Sequence, residues 1–436
     1  MTQTQNTNPR RSVSADERSL QALRQGFAAV HKIASQLAGR VKLQEILDTA
    51  TQQLVETMGL RASGIRLLDH DTGVLKIASI CKLSRAYLNK PPIPVSQCPI
   101  DEEALAGKTV YVRDVRTDPR TYYKEKARAE GLVSALVTPL QSDGRSIGLL
   151  RAYMDREIEF SPFDVSLMEA IASQTAAAIM NARLRREARA AEQLERQVKL
   201  AVDVQRRMIP DHVPDESHYR FGCIYEPSLD LAGDFYDFIK FPTGEIGVVI
   251  ADVVGKGVPA SLMMASARSA LRAHAQCVPD LNLLMQEVNH RLCQDTLESE
   301  FVTVFYGVLS PDGRHLRYCN AGHEPLLLLR DGKIEELDVG GLVLGLDPAA
   351  EYEWAERRLE PGDLLVMITD GLIEALNFDD QAYGGARLHD SVRRHGALSS
   401  GLSPDLIAKQ LLWDVRRFAG LAKMSDDITL VVTRVS

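Results

Sequence analysis

The 436-residue sequence has few cysteines and no long apolar run. None of its six cysteines forms a C-x-x-C pair, the spacing on which many structural zinc sites and redox motifs depend. No apolar stretch reaches the ~20 residues that span a bilayer, and residues 1–16 are polar, without the apolar core of a signal peptide. These absences predict a cytoplasmic protein with free thiols and no membrane segment.

Basic residues are also in the minority. The 51 lysines and arginines are outnumbered by 59 acidic residues, which gives a formal net charge of -8. Such a chain lacks the basic surface that holds nucleic acid through its phosphates. Apolar residues make up 45% and charged residues 25%, as in ordinary globular proteins. At ~100–200 residues per domain, the length predicts a multidomain protein with no nucleic-acid role.

The first half of the sequence combines strand and helix patterns. Alternating apolar runs predict two hairpins, over residues 64–80 and 132–154. Ser161 is suited to an N-cap and Pro162 to the first helical turn. Residues 163–209 contain neither glycine nor proline, so a single long helix is predicted to follow Ser161.

The second part of this long helix is charge-rich and carries an apolar seam near heptad spacing, with Gln205 as a polar break. We interpret residues 183–207 as a coiled coil that forms a homodimer. The alternative is a single surface helix that lies on one of the domains. The seam consists of Leu184, Ala188, Ala191, Val198, Val202 and Ile209.

The second half contains four aspartate sites at predicted strand ends, each beside a small residue. An Asp-Gly after a strand is usually only a turn, so each site alone carries little information. Four together, with no competing histidine or cysteine cluster, favour a site for hard cations such as Mg2+ or Mn2+, which prefer oxygen ligands. The four motifs are GDFYD at 233–237, DVVGKG at 252–257, TDG at 369–371 and SDDIT at 425–429.

Together with NAGHEP at 320–325, these motifs resemble, in spelling and order, the metal-dependent protein serine/threonine phosphatases of the PPM (protein phosphatase 2C) superfamily. They are most similar to its bacterial SpoIIE/RsbU branch, over about residues 206–436. The resemblance implies an αββα sandwich. It also implies direct attack of a metal-activated water on phosphoserine or phosphothreonine, without a phosphoenzyme.

Carried over residue by residue, the resemblance implies two ions, Mn2+ or Mg2+, and no organic cofactor. Asp252 would bridge both ions. The Val253 carbonyl and Asp234 would bind the second ion, Asp234 largely through water. Asp370 and Asp426 would bind the first ion. The same four aspartates would be the catalytic residues.

Other positions in these motifs have lesser expected roles. Asp427 matches a position that is often asparagine in the superfamily, so we expect it beside the ligands rather than among them. Val254 stands where eukaryotic members carry a proposed general-acid histidine, which leaves the proton donor open, with water as the default. We expect Lys256 to be a turn residue and His323 to be structural.

Residues from about 20 to 184 resemble a GAF domain. The matching features are LVTPL at 136–140, DGRSIGLL at 143–150 and the helix after Ser161. The resemblance implies an antiparallel sheet with flanking helices and a ligand pocket on the sheet face that residues 81–126 cover. The pattern does not identify the ligand, and Cys98 is expected to be an ordinary thiol.

The chain is therefore predicted to be an α+β protein with four segments. These are a disordered tail (1–16), a GAF sensory domain (17–182), a helical linker and regulatory helix (183–210) and a PPM-type phosphatase domain (211–436). The preferred function is a phosphatase regulated by an unknown GAF signal. The resemblance implies that its substrate is a phosphorylated STAS-type anti-sigma-factor antagonist. The alternative is a catalytically inactive signalling scaffold of the same fold.

Overall fold

A computed structural model describes residues 15–37, 42–69, 71–89, 94–297, 299–422 and 424–436. The predicted tail and residues 90–93 of the segment expected to cover the pocket fall largely outside the described residues. The chain divides into two compact units, Met1–Glu192 and Gln193–Ser436. In the part of the chain that the model describes, no helix has both the length and the apolar character of a membrane span.

The first unit is built on an antiparallel sheet with strand order β2-β1-β5-β4-β3. The two predicted hairpins are confirmed, as β1–β2 and β4–β5. The strands are β1 (Ala62–Asp69), β2 (Val74–Cys81), β3 (Val110–Val112), β4 (Ser134–Ser142) and β5 (Arg145–Met154).

Each face of this sheet is covered by helices. Alternate residues of β5 show the two faces, because Leu150 packs in one hydrophobic core and Leu149 in the other. On the first face lie α1 (Ala15–Leu37), α2 (Leu43–Met58) and the start of α6 (Pro162–Arg206). On the second face lie α3 (Arg85–Leu88), α4 (Pro99–Leu105) and α5 (Lys124–Glu130).

The long helix α6 begins where the sequence predicted. The Asp164 N–H donates to Ser161 Oγ (3.2 Å), and the Ser161 N–H donates to Asp164 Oδ2 (2.9 Å). This reciprocal pair satisfies backbone donors that the first helical turn leaves free. Further along, Leu184 and Leu194 are exposed. Dimerisation through this stretch stays a prediction.

The described residues of the second unit form two sheets. One has the order β13-β10-β9-β8-β7, with β14 also paired to β10, and the other has the order β12-β11-β15-β16-β6. All neighbouring strands are antiparallel except β10 and β13. The strands are β6 (Tyr219–Glu226), β7 (Phe235–Lys240), β8 (Ile246–Val253), β9 (Val302–Leu309), β10 (His315–Ala321), β11 (Leu326–Arg330), β12 (Lys333–Leu337), β13 (Gly340–Gly341), β14 (Ala355–Arg358), β15 (Leu364–Ile368) and β16 (Ile428–Val435).

Helices cover the outer faces of both sheets, which confirms the α+β class. On β15, Val366 and Ile368 pack against the helices of the second sheet, whereas Leu365 and Met367 join the core shared with the first sheet. The alternation follows from the two-residue period of a strand. The helices are α7 (Val258–Ala275) and α8 (Leu281–Cys293) on the first sheet, and α9 (Gly384–Gly396) and α10 (Pro404–Ala419) on the second.

Helix α8 ends at Cys293. Beyond it, the Thr296 hydroxyl donates to the Gly345 carbonyl at 2.8 Å. This long-range partner replaces a further helical turn. Apolar spacing could not reveal such a contact.

Candidate metal centre

The first pair of predicted aspartates lies where two neighbouring strands of the first sheet meet. Asp234 immediately precedes β7, and Asp252 is the penultimate residue of β8. The strands are antiparallel, with Phe235 opposite Ala251, so the start of β7 lies beside the end of β8. The register alone therefore brings the backbones of Asp234 and Asp252 together.

The second sheet repeats this arrangement. Asp370 follows β15 after one residue, and Asp426 lies two residues before β16. The strands are antiparallel, with Ile368 opposite Leu430, so the end of β15 lies beside the start of β16. The predicted aspartates thus occupy strand ends in both sheets.

Hydrogen bonds to Asp234 join the two sheets at this point. The hydroxyls of Thr369 and Thr429 donate to Asp234 Oδ2 at 2.7 and 2.8 Å. Asp234 is 2% exposed. Burial and the neighbouring Asp252 charge raise the pKa of Asp234 well above its usual range. The two threonines therefore fix a carboxylate of the first sheet against the second.

Negative charge accumulates around the four aspartates. Burial raises the pKa of Asp252 to about 6, with a further contribution from Asp370. Burial and the charges of Glu374 and Asp426 raise the pKa of Asp370. Burial, with Asp370 and Glu374, raises the pKa of Glu324. Carboxylates this close together need protons or cations to compensate them.

One compensating cation comes from the chain itself. Lys256 Nζ lies 2.8 Å from Asp426 Oδ2, and it also donates to the Ser425 carbonyl. Lys256 does lie in the turn that the sequence predicted, where Gly255 and Gly257 adopt φ values of 93° and 73°. Its side chain, however, contacts an acidic segment that is remote in the sequence.

Asp427 differs from its neighbour in how its carboxylate is used. Its Oδ1 accepts hydrogen bonds from the Ser228 N–H and hydroxyl at 2.7 and 2.9 Å, and its Oδ2 accepts one from the Gly233 N–H at 2.9 Å. Both oxygens thus hold the loop that leads into Asp234. This geometry fits a place beside the ligands, which stays a prediction.

Two glycines allow these segments to approach one another. A Cβ on Gly371 would lie 2.0 Å from the Asp427 carbonyl oxygen, and a Cβ on Gly233 would lie 2.8 Å from the Val253 carbonyl oxygen. No other residue fits such separations without a backbone shift. The Val253 carbonyl therefore borders the residue that precedes Asp234.

His323 lies next to this end of the first sheet. Its Nδ1 is 2.8 Å from the Thr303 hydroxyl, and Thr303 is the residue of β9 opposite Asp252. Burial lowers the pKa of His323 to about 4, so the ring is neutral at neutral pH. The Asn320 side chain exchanges hydrogen bonds of 2.7 and 2.9 Å with the His323 backbone. These contacts fit the structural role predicted for His323.

The C-terminal end of α6 contacts the same loop. The Gln205 side chain donates to the Ala232 carbonyl (2.8 Å) and accepts from the Ala232 N–H (3.1 Å). The Tyr236 hydroxyl donates to the Pro210 carbonyl at 3.0 Å. In the sequence, Gln205 is visible only as a polar break in the apolar seam, because a helical pattern does not identify a loop partner.

Sequence reasoning also missed Thr369, Thr429, Glu324 and Glu374. The two threonines belong to the TDG and SDDIT motifs, and Glu324 belongs to NAGHEP. Their adjacency to motif residues was the only available signal. That they contact or face the aspartates depends on how the two sheets pack.

The chemical type of these donors suits a hard divalent cation, since they are carboxylate and carbonyl oxygens with surplus negative charge. Across the described ranges, however, no group of three or more His, Cys, Asp or Glu side chains is arranged to hold a metal ion. Asp234 is engaged by threonines and Asp426 by Lys256. A cation at Asp426 Oδ2 would therefore compete with Lys256.

Comparison with known proteins identifies related families for both units. Residues 242–436 match the family model for stage II sporulation protein E (SpoIIE), and residues 41–180 match a GAF domain model. Phosphoserine phosphatase RsbU of Bacillus subtilis is 31% identical over 185 residues, which cover 42% of this chain and 55% of that protein. Protein IcfG of Synechocystis sp. is 27% identical over 256 residues, which cover 52% of this chain and 40% of that protein.

The chain thus spans about half the length of the curated relatives it matches. Among solved structures, the SiaA PP2C domain of Pseudomonas aeruginosa is 21% identical, with a TM-score of 0.49; the match covers 57% of this chain and 99% of that chain. Both predicted resemblances are confirmed by the family models. Residues 41–180 are thus similar to GAF domains, and residues 242–436 are similar to the SpoIIE family.

Proposed function

We propose that this chain is a metal-dependent protein serine/threonine phosphatase that is controlled by its GAF domain. The observation that carries the proposal is the convergence of Asp234, Asp252, Asp370 and Asp426 at strand ends of both sheets. Divalent cations would compensate their mutual charge, which otherwise requires protons. The similarity of the second unit to phosphoserine phosphatase RsbU supports the reaction class.

The proposed ligands divide between two ions, Mn2+ or Mg2+. Asp252 would serve both ions, Asp234 and the Val253 carbonyl would serve one, and Asp370 and Asp426 would serve the other. When bound, such ions polarise a phosphoryl group and lower the pKa of water.

The remaining residues of the site orient or support the proposed metal ligands. Thr369 and Thr429 orient the Asp234 carboxylate through their hydroxyls. Asp427 holds the loop between Ser228 and Gly233. His323, neutral and buried, supports β9 opposite Asp252. A water remains the proposed proton donor to the leaving serine.

The proposed substrate is a phosphorylated STAS-type anti-sigma-factor antagonist in bacterial signalling. The support is the family resemblance, together with the similarity to phosphoserine phosphatases RsbU and RsbP of Bacillus subtilis. We propose the functional segments 17–182, 183–210 and 211–436 for the sensor, the linker and the phosphatase. We further propose a homodimer joined through the exposed apolar residues of α6, among them Leu184 and Leu194.

A signalling scaffold without catalysis is the second candidate. It is favoured by one observation, that the described residues hold no assembled group of three metal ligands. In that case the pairing of Lys256 with Asp426 would be permanent. The two candidates differ in whether a divalent cation produces hydrolysis.

The test is hydrolysis of p-nitrophenyl phosphate and of a phosphoserine peptide by the full chain, with and without Mn2+. We expect metal-dependent turnover that Asp252→Asn reduces by at least ~100-fold, since the substitution removes the bridging charge. Asp379→Asn, at an exposed position, is the matched control and should retain activity. A complete lack of Mn2+-dependent hydrolysis by the unmodified chain would favour the scaffold.

A further inference from the structure

A cavity in the first unit contains charged groups that the proposed phosphatase site does not use. It lies between the sheet, where β1, β4 and β5 form one wall, and residues of helices α3, α4 and α5. Its volume is about 50 Å³, which is room for several water molecules or one compact ligand. The charged residues of its wall are Arg66, Arg151 and Asp101.

Arg151 and Asp101 form an ion pair inside this cavity. Their side chains are 12% and 4% exposed. Arg151 also donates toward the Tyr153 hydroxyl at 3.4 Å. Its Nε is buried and has no hydrogen-bond partner among the described residues. The described residues therefore leave one N–H of this guanidinium group without an acceptor.

Arg66 supplies a second positive charge without a carboxylate of its own. Its guanidinium group forms no ion pair with a carboxylate of the described residues. Burial lowers the pKa of Arg66, and the nearby Arg151 lowers it further. The two guanidinium groups and one carboxylate in the cavity wall carry a net charge of about +1, and a partly buried charge of this kind is unfavourable unless an anion balances it.

The pKa of a tyrosine in the cavity wall reflects the same two positive charges. Burial alone would raise the pKa of Tyr153, but Arg151 and Arg66 lower it below its usual range. The Tyr87 and Tyr153 hydroxyls lie 3.4 Å apart. The Thr121 hydroxyl, also in the cavity wall, is buried without a hydrogen-bond partner among the described residues. Neutral donors thus lie beside the two guanidinium groups.

We propose that this cavity binds a compact monoanion, of carboxylate or phosphate type, through the guanidinium groups of Arg66 and Arg151. Guanidinium is the side chain best matched to the planar carboxylate and to phosphate oxygens. The small volume excludes larger ligands in this conformation. The proposal gives a ligand class to the GAF sensor role proposed above, and its binding test does not require that role to be correct.

The experiment is calorimetric titration of the full chain with sodium acetate and, separately, sodium phosphate, with sodium chloride at equal ionic strength as reference. The two titrations distinguish a carboxylate from a phosphate ligand. We expect Arg66→Gln to weaken binding at least tenfold. We expect Asp101→Asn to strengthen it, because the substitution removes the competing carboxylate. Arg145→Gln, at the exposed start of β5, should bind like the unmodified chain.

The proposal would be overturned if the unmodified chain, Arg66→Gln and Arg145→Gln bound the anion with equal affinity. It would also be overturned if the unmodified chain bound neither acetate nor phosphate. The opposite effects of Arg66→Gln and Asp101→Asn cannot both come from misfolding. Phosphatase activity measured on the same samples separates the two proposals. Anion binding without any metal-dependent hydrolysis would support the proposed anion site and contradict the proposed phosphatase activity. Hydrolysis without anion binding would overturn only the proposed anion site.

Discussion

The positively charged side chain of Lys256 contacts one of the proposed metal ligands, Asp426. Its ammonium group lies 2.8 Å from Asp426 Oδ2, and the two side chains are 39% and 31% exposed. A divalent ion that binds Asp426 must compete with this ammonium group. Since pairs this exposed are weak, typically below ~1 kcal/mol, the competition should be measurable but small.

We therefore expect Lys256→Gln to bind Mn2+ more tightly, by ~2- to 5-fold in Kd. Isothermal titration calorimetry of the metal-free protein would measure this change. Lys240→Gln is the matched control, because Lys240 pairs with Glu216 at 3.0 Å outside the acidic site. Unchanged or weaker Mn2+ binding by Lys256→Gln would show that the lysine does not compete with the metal.

At the residue scale, the sequence predicted the aspartates but not their partners. An aspartate that ends an apolar strand is visible in the pattern of one segment. The Asp234 partners Thr369 and Thr429 lie 135 and 195 residues away, in the other sheet. Such contacts are set by how the sheets pack, so local periodicity could not identify them.

At the scale of elements, helix α6 is joined to the acidic site through Gln205. This side chain is buried and bonds both backbone groups of Ala232, two residues before Asp234. Ile209 lies in the hydrophobic core close behind it. A displacement of α6 would therefore move the backbone that positions Asp234. This contact gives the proposed GAF control a physical route.

We expect Gln205→Ala to lower the thermal stability of the second unit and to raise the Kd for Mn2+ by ~10-fold. The substitution leaves the buried Ala232 N–H and carbonyl unpaired, which destabilises by ~1–3 kcal/mol. Calorimetry would measure both quantities. The adjacent, exposed Arg206→Ala should change neither. A lower Tm with unchanged metal affinity would contradict the coupling between α6 and the site.

The sequence predicts individual strands and helices better than it predicts which strands lie next to each other in a sheet. The hairpins β1–β2 and β4–β5 follow from alternating apolar residues around tight turns, and the start of α6 follows from Ser161 and Pro162. The strand order of the two sheets in the second unit does not follow from any local pattern. The resemblance of the motifs to a known fold implied only the αββα sandwich, without a strand order.

At the scale of the whole molecule, part of the acidic excess is concentrated at one site. Burial and like charges raise the pKa of Asp234, Asp252 and Asp370. A raised carboxyl pKa means that the folded state binds its proton more tightly than the unfolded chain, so this contribution to stability is lost as pH rises through the folded pKa. His323 acts in the opposite sense: with its pKa lowered to about 4, it destabilises the fold as pH falls below ~6.5.

The carboxyl groups and His323 change the stability in opposite directions as the pH changes. The contribution of Asp252 is therefore isolated by comparing the stabilities of two variants. Without metal, Asp252→Asn should be more stable than the unmodified chain, since it removes a charge whose pKa is raised to about 6. This advantage should shrink by ~1 kcal/mol between pH 7.5 and 5.5, as Asp252 takes up a proton. With saturating Mn2+ the order should reverse, because only the unmodified chain keeps the bridging ligand. Calorimetric unfolding of both proteins tests this, with Asp379→Asn as control, and an advantage that grows toward pH 5.5 would contradict the assignment of Asp252.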